Sequence, residues 1–100
     1  MKKVFVTRQI PDSGILLLQK RGCEVNIFPK DRQISRRELL KALRGNNYNA
    51  LLTILTDKID DEVLCMAGQS LKVVANYAVG FDNIDLKATK RHKVTVTNAP

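Results

Sequence analysis

Lys72–Asp85, KVVANYAVGFDNID, is the stretch that decides the fold. Val73, Val74 and Ala75 form an apolar run that reads as a buried strand. Asn76 to Gly80 reads as a loop with one glycine, and Asp82–Asp85 supplies the N-cap of a following helix. Strand, glycine-bearing loop and capped helix together make an anion-binding arrangement when the loop's N–H groups face outward. In open α/β sheets such loops, at the carboxyl ends of strands, are where ligands sit.

Working outward, the same unit recurs along the chain. Val4–Val6 is a first strand, and Pro11 with Asp12 or Ser13 opens a helix whose buried side is Ile15, Leu16, Leu17 and Leu18. Gly22 ends that helix, and Val25, Ile27 and Phe28 follow as a partly alternating strand that stops at Pro29. Ser35 and Glu38 form a capping box ahead of Leu39, Leu40 and Leu43, and Gly45 and Asn46 end this second helix. Ala50–Leu55, with Thr53 its one polar member, reads as a strand covered on both faces. Asp60, Asp61 and Glu62 place negative charge on the first turn of a third helix, which Gly68 ends. Asp85 to about Arg91 is a fourth helix, and Val94–Thr97 a fifth strand.

Strands separated by helices require right-handed crossovers and give a parallel sheet. The expected fold is α/β: a doubly wound, five-stranded parallel sheet of order 2-1-3-4-5, flavodoxin-like, with helices on both faces. The 100 residues suffice for one domain with a real core. No apolar run is long enough to span a membrane as a helix, so a cytoplasmic location is expected.

The net charge of +7 raises the question of nucleic acid. Its densest region is Arg32–Arg44, a helix face with no interleaved aromatic for base stacking, so nucleic acid is not the expected partner. Cys23 and Cys65 lack metal or redox spacing and read as reduced, half-buried thiols. His92 reads as a helix-end residue away from the loops, without an orienting carboxylate or a pocket. Asp57 and Asp82 read as turn and cap residues rather than a catalytic pair. A phosphoacceptor site is excluded, because Thr7-Arg8-Gln9 stands where an acidic pair would hold magnesium. The glycines, at 14, 22, 45, 68 and 80, are too far apart to cradle a nucleotide phosphate. What remains is recognition of a small carboxylate by the backbone N–H groups of Val79 and Gly80, with Leu55 as an apolar wall and Gly80 free to take positive φ.

Three stretches carry a family likeness. Asn76–Asp85 (NYAVGFDNID), Ala88–Arg91 (ATKR) and Val94–Pro100 (VTVTNAP) together resemble the D-isomer-specific 2-hydroxyacid dehydrogenases. Lys3–Pro11 and Leu55–Asp60 resemble, within that family, the glyoxylate and hydroxypyruvate reductases. The resemblance implies that residues 1–100 are the N-terminal part of a substrate-binding domain whose nucleotide-binding domain is not in this chain. It implies an oxidoreductase reducing small 2-keto acids with NAD or NADP, the chain alone being inactive. It implies substrate contacts at Val79, Gly80 and Leu55, with Asn76 nearby and no catalytic residue within the chain. The family usually has glycine where His92 stands, so a left-handed, strained cap is expected there. It also implies a C-terminal helix, absent here, whose loss exposes an apolar face and invites self-association as a homodimer. Two other classes fit the residues: a free-standing carboxylate-binding module, and a corepressor-like regulator using the basic helix Arg36–Arg44.

Overall fold

The computed structural model of the chain describes residues 2–9 and 12–98. Expectations that fall on Pro11, on the Leu17 side chain and on Ala99 and Pro100 lie outside them. The elements alternate: β1 (Lys3–Val6), α1 (Asp12–Lys20), β2 (Glu24–Ile27), α2 (Arg36–Leu43), β3 (Ala50–Ile54), α3 (Asp61–Ala67), β4 (Val73–Tyr77), α4 (Leu86–Arg91) and β5 (Thr95–Asn98). All pairings are parallel and the order is β2-β1-β3-β4-β5, as the sequence pattern predicts.

Handedness distributes the helices. The step from β1 to β2 runs one way across the sheet and the later steps run the other way. Right-handed crossovers therefore put α1 on one face and α2, α3 and α4 on the opposite face. The three-helix face holds the larger core. There Phe5, Leu51 and Val74 from the strands meet Leu39 and Leu43 of α2, Val63 and Leu64 of α3, and Ala88 of α4. Leu43, Leu51, Val63, Val74 and Ala88 are fully buried, and each large aliphatic side chain contributes about 1.5–3 kcal/mol by leaving water.

The other face is thinly covered. Val4 and Val6 pack with Ile15 and Leu18 of α1, and with Val25, Ile27, Ala50 and Leu52. Beyond α1 an apolar groove of about 340 Å³ stays open, lined by Val4, Leu18, Leu52, Val73 and Ala75 among others. Two expectations need correction. β3 is not covered on both faces: Leu51 and Thr53 are buried, while Ala50, Leu52 and Ile54 are only half-buried. Leu16 does not join the buried side of α1; it is exposed, because one narrow sheet edge is all that α1 meets. An uncovered apolar face of the kind the resemblance implies is therefore present.

The capping residues behave as their chemistry requires. Ser35 accepts from the Glu38 N–H while Glu38 returns to the Ser35 N–H. Asp60 and Asp85 cap α3 and α4 through the N–H groups of Val63 and Ala88. His92, however, does not take a left-handed cap. Its φ is −85°, and the neighbouring Lys93 has φ 58° instead. The Lys93 N–H then bonds the Lys90 carbonyl and the Val94 N–H bonds the Thr89 carbonyl, a complete Schellman closure one residue later.

Candidate functional site

The carboxyl ends of β1, β3 and β4 are aligned by register. Ile54 pairs with Tyr77, and Asn76 pairs with both Thr53 and Asn98. This brings Leu55, just past β3, and Val79–Gly80, just past β4, to one edge of the sheet. Here the chain displays apolar side chains: Leu55 is 56% exposed, Tyr77 48% and Val79 81%. The Val79 carbonyl accepts from Asn98 Nδ2 at 2.6 Å. Among the described residues, neither the Val79 nor the Gly80 N–H donates to any protein group. Adjacent uncommitted donors beside exposed apolar side chains suit a small, partly apolar anion.

Gly80 departs from expectation. Its φ is not positive, and a Cβ built there would meet nothing within 4 Å. Among the described residues nothing demands glycine at this position, and the space above it is open.

Asn76 is not part of the loop, as the sequence suggested; it lies within β4. Its side chain is buried and fully used. Asn76 Oδ1 accepts from Thr53 Oγ1 at 2.9 Å, and its Nδ2 donates to the Gly80 carbonyl at 2.9 Å. It also exchanges bonds with Asn83 at 2.9 and 3.1 Å. Asn83 Nδ2 donates to the carbonyls of Ile54 and Asp57. One amide network thus ties the loop after β4 to the loop after β3, and Asn76 holds Gly80 in place rather than facing the solvent edge.

Asp57 is the group that sequence reasoning undervalued. It is buried, accepts from Thr7 Oγ1 and from the Ile54 N–H at 2.9 Å, and its Oδ1 has no partner among the described residues. Burial pushes its carboxyl above the ordinary range, against the bonds from Ile54 and Thr7 and the nearby Arg8 charge. Asp82 is exposed and the two carboxylates are not brought together. A raised folded-state pKa gives stability that is complete below the unfolded pKa and lost as pH rises through the folded one. Asp57→Asn removes that dependence. The stability difference between the variant and the parent should therefore move in favour of the variant as pH rises from about 4 to 7, read by urea unfolding at each pH. A difference that does not change with pH would assign Asp57 an ordinary pKa.

The remaining candidates fall elsewhere. His92 does have a carboxylate and a cleft, contrary to expectation: Nε2 lies 2.8 Å from Asp61 Oδ1, beside a cleft that it lines with Cys65. Cys65 is exposed rather than half-buried, and both cysteines are free thiols. Two of the five basic residues between Arg32 and Arg44 are held in ion pairs. Arg32 pairs with Glu38 at 2.8 Å, and Arg36 holds Asp60 and Glu62 at 2.8 and 2.7 Å. The Arg32 bond, with those from Ser35, holds Glu38 far below the usual carboxylate range.

Comparison with known proteins sharpens the picture. The family model described as "D-isomer specific 2-hydroxyacid dehydrogenase, catalytic domain" matches residues 4–100. The glyoxylate reductase of Thermococcus kodakarensis is 48% identical over 98 residues, covering 98% of this chain and 28% of that protein. The glyoxylate reductase of Thermococcus gammatolerans is 45% identical over 98 residues, again 98% of this chain and 28% of the relative. Among solved structures, the TT0316 protein of Thermus thermophilus superimposes with a TM-score of 0.88 at 37% identity, over 98% of this chain and 30% of that one. The chain thus spans little more than a quarter of the length of the curated relatives it matches.

Proposed function

The chain belongs to the D-isomer-specific 2-hydroxyacid dehydrogenase family, matching its catalytic domain, and on that premise we propose that it is the N-terminal part of the substrate-binding domain of a reductase of small 2-keto acids, glyoxylate or hydroxypyruvate. One observation carries the reading: two adjacent uncommitted N–H groups, on Val79 and Gly80, share a sheet edge with the exposed Leu55. The N–H pair would take the substrate carboxylate, and Leu55 would wall off water on the carbon side. Asn76 would act by fixing Gly80. The names of the glyoxylate reductases support this substrate class.

The described residues do not fit a dinucleotide. No loop after β1, β3 or β4 carries the clustered glycines that let a backbone close around a pyrophosphate. NAD or NADP therefore belongs to a companion domain, as do the groups that supply the proton and fix the keto oxygen. The unmatched length of the relatives has room for both. The open groove over β3 and β4 is a docking face that such a longer chain would cover, and a homodimer of the 100-residue chain would cover it otherwise. No helix is long and apolar enough to cross a membrane among the described residues, consistent with a cytoplasmic enzyme.

The test is turnover. A protein extended by the coding sequence downstream of Pro100 should oxidise NADH or NADPH when given glyoxylate or hydroxypyruvate. The 100-residue chain should do neither above a blank. An extended protein that folds, binds nucleotide and ignores every small 2-keto acid would overturn the proposed substrate class.

A further inference from the structure

Asp61 and Cys65 are four residues apart on α3 and share one face. His92 reaches them from the end of α4, where its N–H is held by the Ala88 carbonyl at 3.0 Å. His92 Nε2 lies 2.8 Å from Asp61 Oδ1 and 3.8 Å from Cys65 Sγ, and Cys65 Sγ lies 3.7 Å from Asp61 Oδ2. All three donor atoms lie within 4.8 Å of one another. We infer that Asp61, Cys65 and His92 form a binding site for a zinc-type divalent metal ion at the seam between α3 and α4.

The geometry needs little adjustment. With Zn–N and Zn–O near 2.0–2.1 Å and Zn–S near 2.3 Å, tetrahedral donors sit roughly 3.3–3.7 Å apart. The two contacts of Cys65, at 3.7 and 3.8 Å, lie at the upper edge of that range. Only the Asp61–His92 pair must widen, by roughly half an ångström, as the ion replaces the proton between them. A mixed sulfur, nitrogen and oxygen set favours zinc and its neighbours over calcium or magnesium, which take oxygen.

The surroundings also suit an ion with one open position. A cleft of about 520 Å³ adjoins Cys65 and His92, with Gly68 and Gln69 on its wall, leaving room for a water or small anion as fourth ligand. Lys72, Arg91 and Lys93 line the same cleft and would repel a bare cation. On binding, Cys65 releases its thiol proton to solvent, and the thiolate with the Asp61 carboxylate neutralises the divalent ion, so the liganded site itself carries no net charge among those bases. Arg91, 3.4 Å from Asp61 and mostly exposed, has free room to withdraw. This site is independent of the 2-keto acid reading and involves none of its residues.

The chain offers a clear readout, since it has one histidine and two cysteines. Cobalt(II) added to the 100-residue chain should give tetrahedral visible bands and a thiolate-to-metal charge-transfer band, and zinc should displace it. Cys65→Ser should abolish the charge-transfer band, and His92→Gln and Asp61→Asn should each weaken binding roughly tenfold or more. Cys23→Ser should change nothing. All three ligand side chains have solvent exposure, so the variants should keep the parental circular dichroism. A second measurement needs no variant: zinc should slow alkylation of Cys65 and leave Cys23 unaffected, as read by peptide mass. A cobalt complex without thiolate character, binding unchanged in Cys65→Ser or His92→Gln, or equal alkylation of Cys65 with and without zinc would each overturn the site.

Discussion

Asn76→Ala is expected to destabilise the chain by about 3 kcal/mol, a large share of what holds a domain of this size together. The figure follows from what the side chain satisfies. Its removal strands the Gly80 carbonyl, frees the Thr53 hydroxyl and breaks both bonds with Asn83. A buried group left without a partner costs about 1–3 kcal/mol, and Asn76 and Thr53 are both fully buried. Asn76→Asp should be worse than alanine. It keeps the shape, converts both donated bonds into repulsion between oxygens, and buries a charge. Asn98→Ala is the control: its bond to the Val79 carbonyl is exposed, so its loss should cost under about 1 kcal/mol. Urea midpoints at unchanged m-value are the measurement. An Asn76→Ala shift no larger than that of Asn98→Ala would mean that water replaces the amide, and the loops are not tied through it.

This network shows where sequence reasoning stops. The alternation of strands and helices, the caps at Ser35, Asp60 and Asp85, and the sheet order were all readable, because each rests on local pattern or on crossover handedness. The end of β4 was misplaced because Asn76, a type depleted in strands, reads as a strand end when taken alone, and it masked the strand-forming Tyr77 behind it. In the sheet, register sets Asn76 opposite Thr53, the one polar residue of an apolar strand. Two polar residues at matched positions of neighbouring strands were the available signal. β3 ended one residue early for a similar reason. Asp57 captures the Ile54 N–H with its side chain and the Ile54 carbonyl with its own N–H, so Leu55 leaves the ladder. That turn is what makes Leu55 an exposed wall rather than a core residue. The meeting of Asp61 with His92 spans 31 residues and depends on how two short helices cross, which no periodicity records.

Gly80→Val should lower kcat/KM for glyoxylate by about 100-fold in the extended reductase, equivalent to about 2.7 kcal/mol of transition-state stabilisation. It should leave the stability of the chain within about 0.5 kcal/mol of the parent. The two halves of this expectation come from one observation. Among the described residues a Cβ at Gly80 meets nothing within 4 Å, and the backbone there is not in the left-handed region, so the fold around it tolerates a side chain. If the N–H groups of Val79 and Gly80 hold the substrate carboxylate, an isopropyl group occupies the volume the ligand needs. A displacement of about 1 Å is then enough for such a loss. Val79→Ala separates the backbone from the side chain. It keeps the N–H and trims a group already 81% exposed, so it should cost less than about tenfold in the same assay. If Gly80→Val unfolds the chain, the glycine serves the backbone. If it folds and turns over glyoxylate as the parent does, the carboxylate lies elsewhere, and the open space above Gly80 is not the substrate's.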